Sequence, residues 1–240
     1  MKHEDDLVIK QKRFNAFAVN YIRPYELLHT YREIFEKEIY CFISSKSSPL
    51  IIDCGANIGL SVLYFKNIFP NSEIICFEPD VNNFKLLEKN VADNKLNNVS
   101  IRKEAVWIKN GFISFESKGS EASKINESVE DSSTQISCID FAALLNNYNE
   151  IDFLKMDIEG AEHSVIRHCS TQLHRIKNMF IEYHGKVSDT NELIDLLTIF
   201  HQNNFQVYIK NAADNLSMPL IQKETGHWAD VQLNIFCYKK

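Results

Sequence analysis

Leu50-Ile51-Ile52-Asp53-Cys54-Gly55-Ala56-Asn57-Ile58-Gly59 is an apolar run that ends in an acid and gives way to small residues and an amide. An amphipathic segment, Leu60 to Phe69, follows directly. The order spells a buried strand, a tight turn and a helix start. Glycines at such a turn permit positive φ and close backbone approach. The free N–H groups of the helix start attract the anionic or polar part of a nucleotide-like ligand.

Working outward, the pattern becomes βαβα. Pro70-Asn71 breaks the first helix, and Glu73 to Phe77 reads as the next strand, ending at Glu78-Pro79-Asp80. Asp80 is the expected N-cap of a helix from Val81 to about Asp93, with Phe84, Leu87 and Val91 as its apolar stripe. Val99 to Val106 reads as a third strand. Trp107 to Phe115, centred on Asn110-Gly111, reads as a β-hairpin. Glu116 to Thr134 is polar and reads as a surface loop, either a substrate lid or a plain insertion. Gln135 to Ile139 is a short strand, and Asp140 caps a helix through Leu145. Strands at Ile151–Asp157 and Met179–His184 flank a helix ending near Cys169. A helix from Thr190 then precedes strands at Phe205–Ile209 and Val231–Tyr238, which have only a loop between them and so pair antiparallel. Alternating strands and helices imply a mostly parallel sheet covered on both faces.

Upstream, residues 1–48 read as an N-terminal helical appendage to a domain spanning 49–240. Pro24 starts its helix, and Tyr25, Leu28, Tyr31, Ile34 and Phe35 recur at helical spacing. The segment packs on the main domain or forms a lid.

At 240 residues and 45% hydrophobic, the chain can bury a sizeable core. The formal charge of −6, with acids and bases interspersed, argues against a nucleic-acid footprint. No apolar run approaches the ~20 residues of a membrane span, and no signal-like apolar core follows the polar N-terminus. Six cysteines without CxxC pairing suit a reducing, cytoplasmic setting. The composition leaves a homo-oligomer open.

In an open α/β sheet, ligands bind beyond the carboxyl ends of the strands. Those ends carry Asp53, Glu78, Glu104-Ala105, Asp157 and Glu182-His184. Glu78 lies about 20 residues past the glycine turn, where an acid accepts hydrogen bonds from ribose hydroxyls. Asp53 precedes the first glycine, and Asn57 stands where a dinucleotide site has its middle glycine. A side chain there crowds a pyrophosphate, whereas an amide suits the carboxylate or amine of an amino-acid tail.

The blocks Asp53 to Gly59, Phe77-Glu78-Pro79-Asp80 with Asn90 downstream, and Lys155 to Glu162 resemble the signature of the FkbM-type methyltransferase family. Glu182-Tyr183-His184 resembles that family's fifth-strand ending. The resemblance implies a class I Rossmann-like fold with a seven-stranded, mostly parallel sheet and an antiparallel last strand. It implies S-adenosylmethionine as methyl donor and transfer to a hydroxyl of a small-molecule acceptor, a sugar or natural product. Carried onto this chain, Gly55 and Gly59 let the backbone approach the methionine part. Asp53 and Asn57 orient its amino-carboxylate end, and Glu78 holds the ribose. Glu104 or the Ala105 backbone lies near the adenine, and Asp157 sits near the sulfonium and the acceptor.

A hydroxyl acceptor needs a base. His184 is the first candidate because imidazole titrates near neutral pH, Asp157 the second, with Glu159 and Glu182 in reserve. The bland alternatives are a Lys155–Asp157 salt bridge and a His184 bonded to a loop carbonyl. Asp157, Glu182 and His184 would also suit Mg²⁺ or Mn²⁺, yet no HxxxH or CxxC spacing supports a metal, and none is expected. Trp107, Tyr183, His227 and Trp228 either line an acceptor pocket or pack in the core. Two rival functions are an NAD-dependent oxidoreductase and a non-enzymatic Rossmann-like binding module.

Overall fold

A computed structural model describes residues 8–116, 124–126, 134–224 and 229–240. The chain divides into two compact units, Met1–Lys103 and Glu104–Lys240.

The first unit opens with a hairpin, β1 (Lys10–Phe14) against β2 (Phe17–Tyr21). Asn15, with φ 51°, turns it, a left-handed geometry that Asn tolerates. Helix α1 (Pro24–Tyr31) follows with Pro24 in its first turn, and a π-helical turn, Arg32–Glu36, extends it. Strand β3 (Leu50–Cys54), helix α2 (Leu60–Ile68), strand β4 (Glu73–Phe77), helix α3 (Val81–Asp93) and strand β5 (Val99–Arg102) complete the unit. The strands run parallel in the order β3-β4-β5. Ile51 through Cys54 are buried in succession, as a parallel strand covered on both faces requires. Asp80 caps α3 as expected, its carboxylate accepting from the Asn82 and Asn83 N–H groups at 2.8 and 3.0 Å.

The N-terminal segment, expected to be a helical appendage, carries a hairpin before the expected helix. Val19 and Asn20 are neighbours on β2 and both are buried, so the strand shows no alternation for a sequence pattern to catch. In α1 the buried residue is Leu27, while Tyr25 and Leu28 face solvent.

The second unit begins with strands β6 (Ala105–Trp107), β7 (Gly111–Glu116), β8 (Lys124–Asn126) and β9 (Thr134–Asp140), in the sheet order β6-β9-β7-β8. Two expectations are corrected here. The strand expected over Val99–Val106 breaks after Arg102, and its halves join different sheets. The hairpin expected over Trp107–Phe115 does not form: β9 lies between β6 and β7, parallel to the first and antiparallel to the second. Asn110-Gly111 still turns the chain, but local turn chemistry says nothing about a strand arriving more than twenty residues later. Part of the expected 116–134 loop is strand. Residues 117–123 and 127–133, where any lid would lie, fall outside the described residues.

Helix α4 (Phe141–Leu145) is capped by Asp140, as expected, through the Ala143 N–H at 3.1 Å. Strand β10 (Ile151–Met156), helix α5 (Glu162–His168), strand β11 (Ile176–Gly185), helix α6 (Thr190–Gln202) and strands β12 (Gln206–Asn211) and β13 (Val231–Tyr238) follow. β10 and β11 are parallel, and β13 runs antiparallel to both β11 and β12, which bears out the antiparallel closing pair. Leu154, Met156, Val165, Ile181, Phe200 and Ile235 have no exposed surface. Each such side chain contributes about 1.5–3 kcal/mol of burial. This packing fixes the carboxyl ends of β10 and β11, where the polar residues cluster. Among the described residues no helix is long and apolar enough to cross a membrane.

Candidate active site

The turn after β3 is built by three left-handed residues, Gly55 (φ 82°), Asn57 (φ 49°) and Gly59 (φ 90°). The Gly55 and Ala56 N–H groups donate to the Phe77 carbonyl at 3.0 and 2.9 Å, tying the turn to the end of β4. A Cβ on Gly59 would meet Leu87 Cδ1 at 2.7 Å, so α3 packs where only glycine leaves room. Glu78 is buried and grips the turn: Oε2 accepts from the Asn57 N–H at 2.7 Å, and Oε1 from the Asp80 N–H at 2.9 Å.

Asn57 and Glu78 are thus brought together, through the Asn57 backbone N–H. Asp53 is not turned outward: its side chain is fully buried and accepts from the Ser61 hydroxyl, which joins β3 to α2. Alternation along a strand gives two faces without saying which one meets the helix layer. Glu104 and Ala105 belong to the second unit, where Ala105 is buried at the start of β6. Asn90, noted in the sequence only as a motif residue, has a definite task. Its Nδ2 donates to the Ile58 carbonyl at 2.8 Å, holding the turn from α3.

In the second unit the loop after β10 carries Asp157 and Glu159. Glu159 (φ 57°) and Gly160 (φ 94°) are successive left-handed residues, an arrangement a glutamate adopts only at a cost. Glu162, fully buried at the start of α5, holds this loop by accepting from the Ile158 N–H at 2.9 Å and the Gly160 N–H at 3.0 Å. The same carboxylate lies 3.4 Å from His184 Nδ1. His184 Nε2 lies 3.7 Å from both Glu159 and Glu182. Lys155 Nζ lies 3.4 Å from Asp157.

The cluster therefore gathers four carboxylates around one imidazole and one buried ammonium. Burial alone would lower the His184 pKa, but the hydrogen bond and charge of Glu162, with Asp157 and Glu159, raise it to about 10. Burial pushes Glu159 up to about 9, and the Asp157 charge adds to it. Burial and Asp157 raise Glu182 to about 7, while the His184 charge works to lower it. The Gln232 amide nitrogen donates to Glu182 Oε1 at 2.9 Å and sits 3.0 Å from His184 Nε2. That last contact by itself favours a lone pair on Nε2. The carboxylates decide otherwise, because buried ionic interactions outweigh one neutral hydrogen bond. The carboxylates thus hold His184 towards its imidazolium form, which disfavours it as a base. The salt bridge foreseen between Lys155 and Asp157 forms, and His184 meets the Glu162 carboxylate and the Gln232 amide.

Asp157, Glu182 and His184 bring one donor atom each within 4.8 Å of one another, a span that could hold a divalent cation. The Gln232 nitrogen lies within hydrogen-bond distance of two of those donors and directs its N–H groups at them, which repel a cation. Gln232 and the anchoring role of Glu162 were both missed in the sequence. Gln232 stands opposite His184 in the β11–β13 register, a pairing that no local pattern announces. Trp107 and Tyr183 are buried, and His227 and Trp228 lie outside the described residues.

Residues 53–207 match the family model described as the methyltransferase FkbM domain. The chain belongs to this family. FkbM-domain proteins are S-adenosylmethionine-dependent methyltransferases, and the three sequence blocks all fall within the matched span. The methyltransferase sdnD of Sordaria araneosa is 37% identical over 87 residues, which are 36% of this chain and 32% of that protein. The 2-O-methyltransferase NoeI of Sinorhizobium fredii is 24% identical over 197 residues, 74% of this chain and 78% of NoeI. Among solved structures, an FkbM methyltransferase from Methylobacillus flagellatus aligns with a TM-score of 0.55 at 16% identity. That alignment covers 82% of this chain and 45% of the other. TYW2 of M. jannaschii, solved in complex with AdoMet, aligns with a TM-score of 0.52 at 12% identity over 97% and 87% of the two chains. These likenesses establish a class I methyltransferase-like α/β fold with a mostly parallel central sheet.

Proposed function

We propose that this FkbM-domain protein transfers a methyl group from S-adenosylmethionine to a hydroxyl of a small polar acceptor, with a sugar as the favoured class. The observation that carries the reading is the carboxylate–imidazolium cluster at the ends of β10 and β11. The 2-O-methyltransferase name of NoeI supports oxygen as the acceptor atom. The left-handed turn fits the cofactor: glycine at 55 lets its backbone be approached closely, and the Glu78 carboxylate beside it suits ribose hydroxyls. Gly55, Asn57, Gly59 and Glu78 hold the donor, and Asp53 supports the turn from within.

When bound, S-adenosylmethionine supplies an electrophilic methyl on a sulfonium. The chain's own task is to place a hydroxyl and take its proton. Glu182 is the base, since it is the carboxylate of the cluster whose proton is lost near neutral pH. Such a base contributes about 10²–10⁴-fold. His184 holds Glu182 towards its ionised form and orients it together with Gln232. Glu159 retains its proton and is available as a hydrogen-bond donor to the acceptor.

Incubation with S-adenosylmethionine and a panel of free and nucleotide-linked sugars is expected to release S-adenosylhomocysteine with one member and yield a product heavier by one methyl. Turnover confined to amines or thiols would overturn the hydroxyl assignment. NADH fluorescence is expected to stay unchanged on titration with the protein. Because the Gln232 amide already bonds Glu182 and contacts His184, turnover is expected to survive excess EDTA. A loss on chelation that Mn²⁺ restores would make the cluster a metal site instead.

A further inference from the structure

The N-terminal hairpin lies outside the matched family domain, yet it is bonded to the residue that holds the cofactor turn. Asn90 on α3 and Asn20 on β2 are each 1% exposed. Asn90 Oδ1 accepts from both the backbone N–H and the side-chain amide of Asn20, at 2.6 and 2.9 Å. With its oxygen so occupied, the Asn90 amide can face only one way. Its Nδ2 then donates to the Asn20 carbonyl at 3.1 Å and to the Ile58 carbonyl at 2.8 Å.

Ile58 stands between two left-handed residues, Asn57 and Gly59, so its carbonyl direction defines the path of the turn. Asn20 is itself fixed. Its Nδ2 also donates to Asp93 at 2.9 Å, and its Oδ1 accepts from Gln11 at 3.2 Å. A second link, just past α3, joins Asn94 to the Ala18 N–H and carbonyl, both at 2.8 Å; its Nδ2 also bonds the Asn90 backbone carbonyl at 2.7 Å but not the Asn90 side chain.

We propose that Asn20 is a positioning residue for the donor site: through the Asn90 amide it sets the Ile58 carbonyl, and with it the shape of the turn that takes S-adenosylmethionine. The inference rests on reading residues 55–59 as the donor-binding turn. It also gives the hairpin a role other than that of a lid or a simple packing element. A buried amide pair oriented by its neighbours behaves as one unit, so its two members do not contribute additively.

Calorimetry with S-adenosylhomocysteine on the full chain tests this. Asn20→Ala and Asn90→Ala are each expected to raise Kd about tenfold, equivalent to about 1.4 kcal/mol, and the double variant to be no weaker than Asn90→Ala alone. The KM for the donor should rise while the KM for the acceptor stays. Asn94→Ala is the control for a loosened hairpin: it should lower Tm and leave Kd unchanged. Additive effects, an unchanged Kd in Asn20→Ala, or an equal loss in Asn94→Ala would overturn the proposal. Glu78→Ala reports on the underlying reading. If it binds as tightly as the unmodified chain, the turn is not the donor site. If it weakens binding while Asn20→Ala does not, only the positioning role fails.

Discussion

Glu182→Gln is expected to slow methyl transfer by about 10²–10⁴-fold at saturating substrate while S-adenosylhomocysteine affinity stays the same. The substitution keeps the volume and leaves an oxygen for the Gln232 amide, so the cluster's shape survives and only the proton acceptor is lost. The pH dependence carries the same assignment. A base works when ionised, and the Glu182 proton leaves near pH 7. The rate of the unmodified enzyme therefore rises as pH increases through about 7 and levels off above it. Glu182→Gln loses that rise.

His184→Asn separates the two candidate bases. Its amide can still donate to Glu162, but the positive charge that lowers the Glu182 pKa is gone. The rising limb should move to higher pH, with the plateau rate largely kept. If His184 were the base, His184→Asn would show the large loss and Glu182→Gln would keep most of the rate.

Glu78→Ala is the second large effect. The carboxylate accepts the Asn57 and Asp80 N–H groups, and the variant leaves both without that acceptor. It also loses the two hydrogen bonds assigned to the ribose. Bonds to a charged group are worth about 1.5–3 kcal/mol each, so S-adenosylhomocysteine affinity should fall by about 100-fold or more. A thermal melt confirms that the variant is folded. An affinity near that of the unmodified chain in a folded variant would remove Glu78 from the donor site.

What could be read from the sequence was local. The caps at Asp80 and Asp140 and the helix start at Pro24 depend on residues within one turn, and each stands where it was expected. The strand–turn–helix at Leu50 to Phe69 was legible because a buried parallel strand is a continuous apolar run. What was lost depends on distant partners. β9 separates β6 from β7 and undoes a hairpin that Asn110-Gly111 signals. Asp53 and Glu78 both stand near strand ends, yet one bonds Ser61 within the fold and the other, just past β4, grips the turn. The nearness of His184, Asp157 and Glu182 followed from the strand-end rule. The protonation of His184 did not, since Glu162 and Glu159 reach it only through a left-handed loop. The hairpin at Lys10 to Tyr21 carries no alternating apolar pattern, and its buried Asn20 makes sense only once Asn90 is there to meet it.

The central claim is methyl transfer to oxygen. An isotopically labelled methyl group on S-adenosylmethionine, followed by NMR of the product from the sugar panel, tests it most directly. The label is expected in a methyl ether on a former hydroxyl, with S-adenosylhomocysteine formed in equal amount. Label found on nitrogen, sulfur or carbon, or donor binding with no transfer to any hydroxyl compound, would contradict the account.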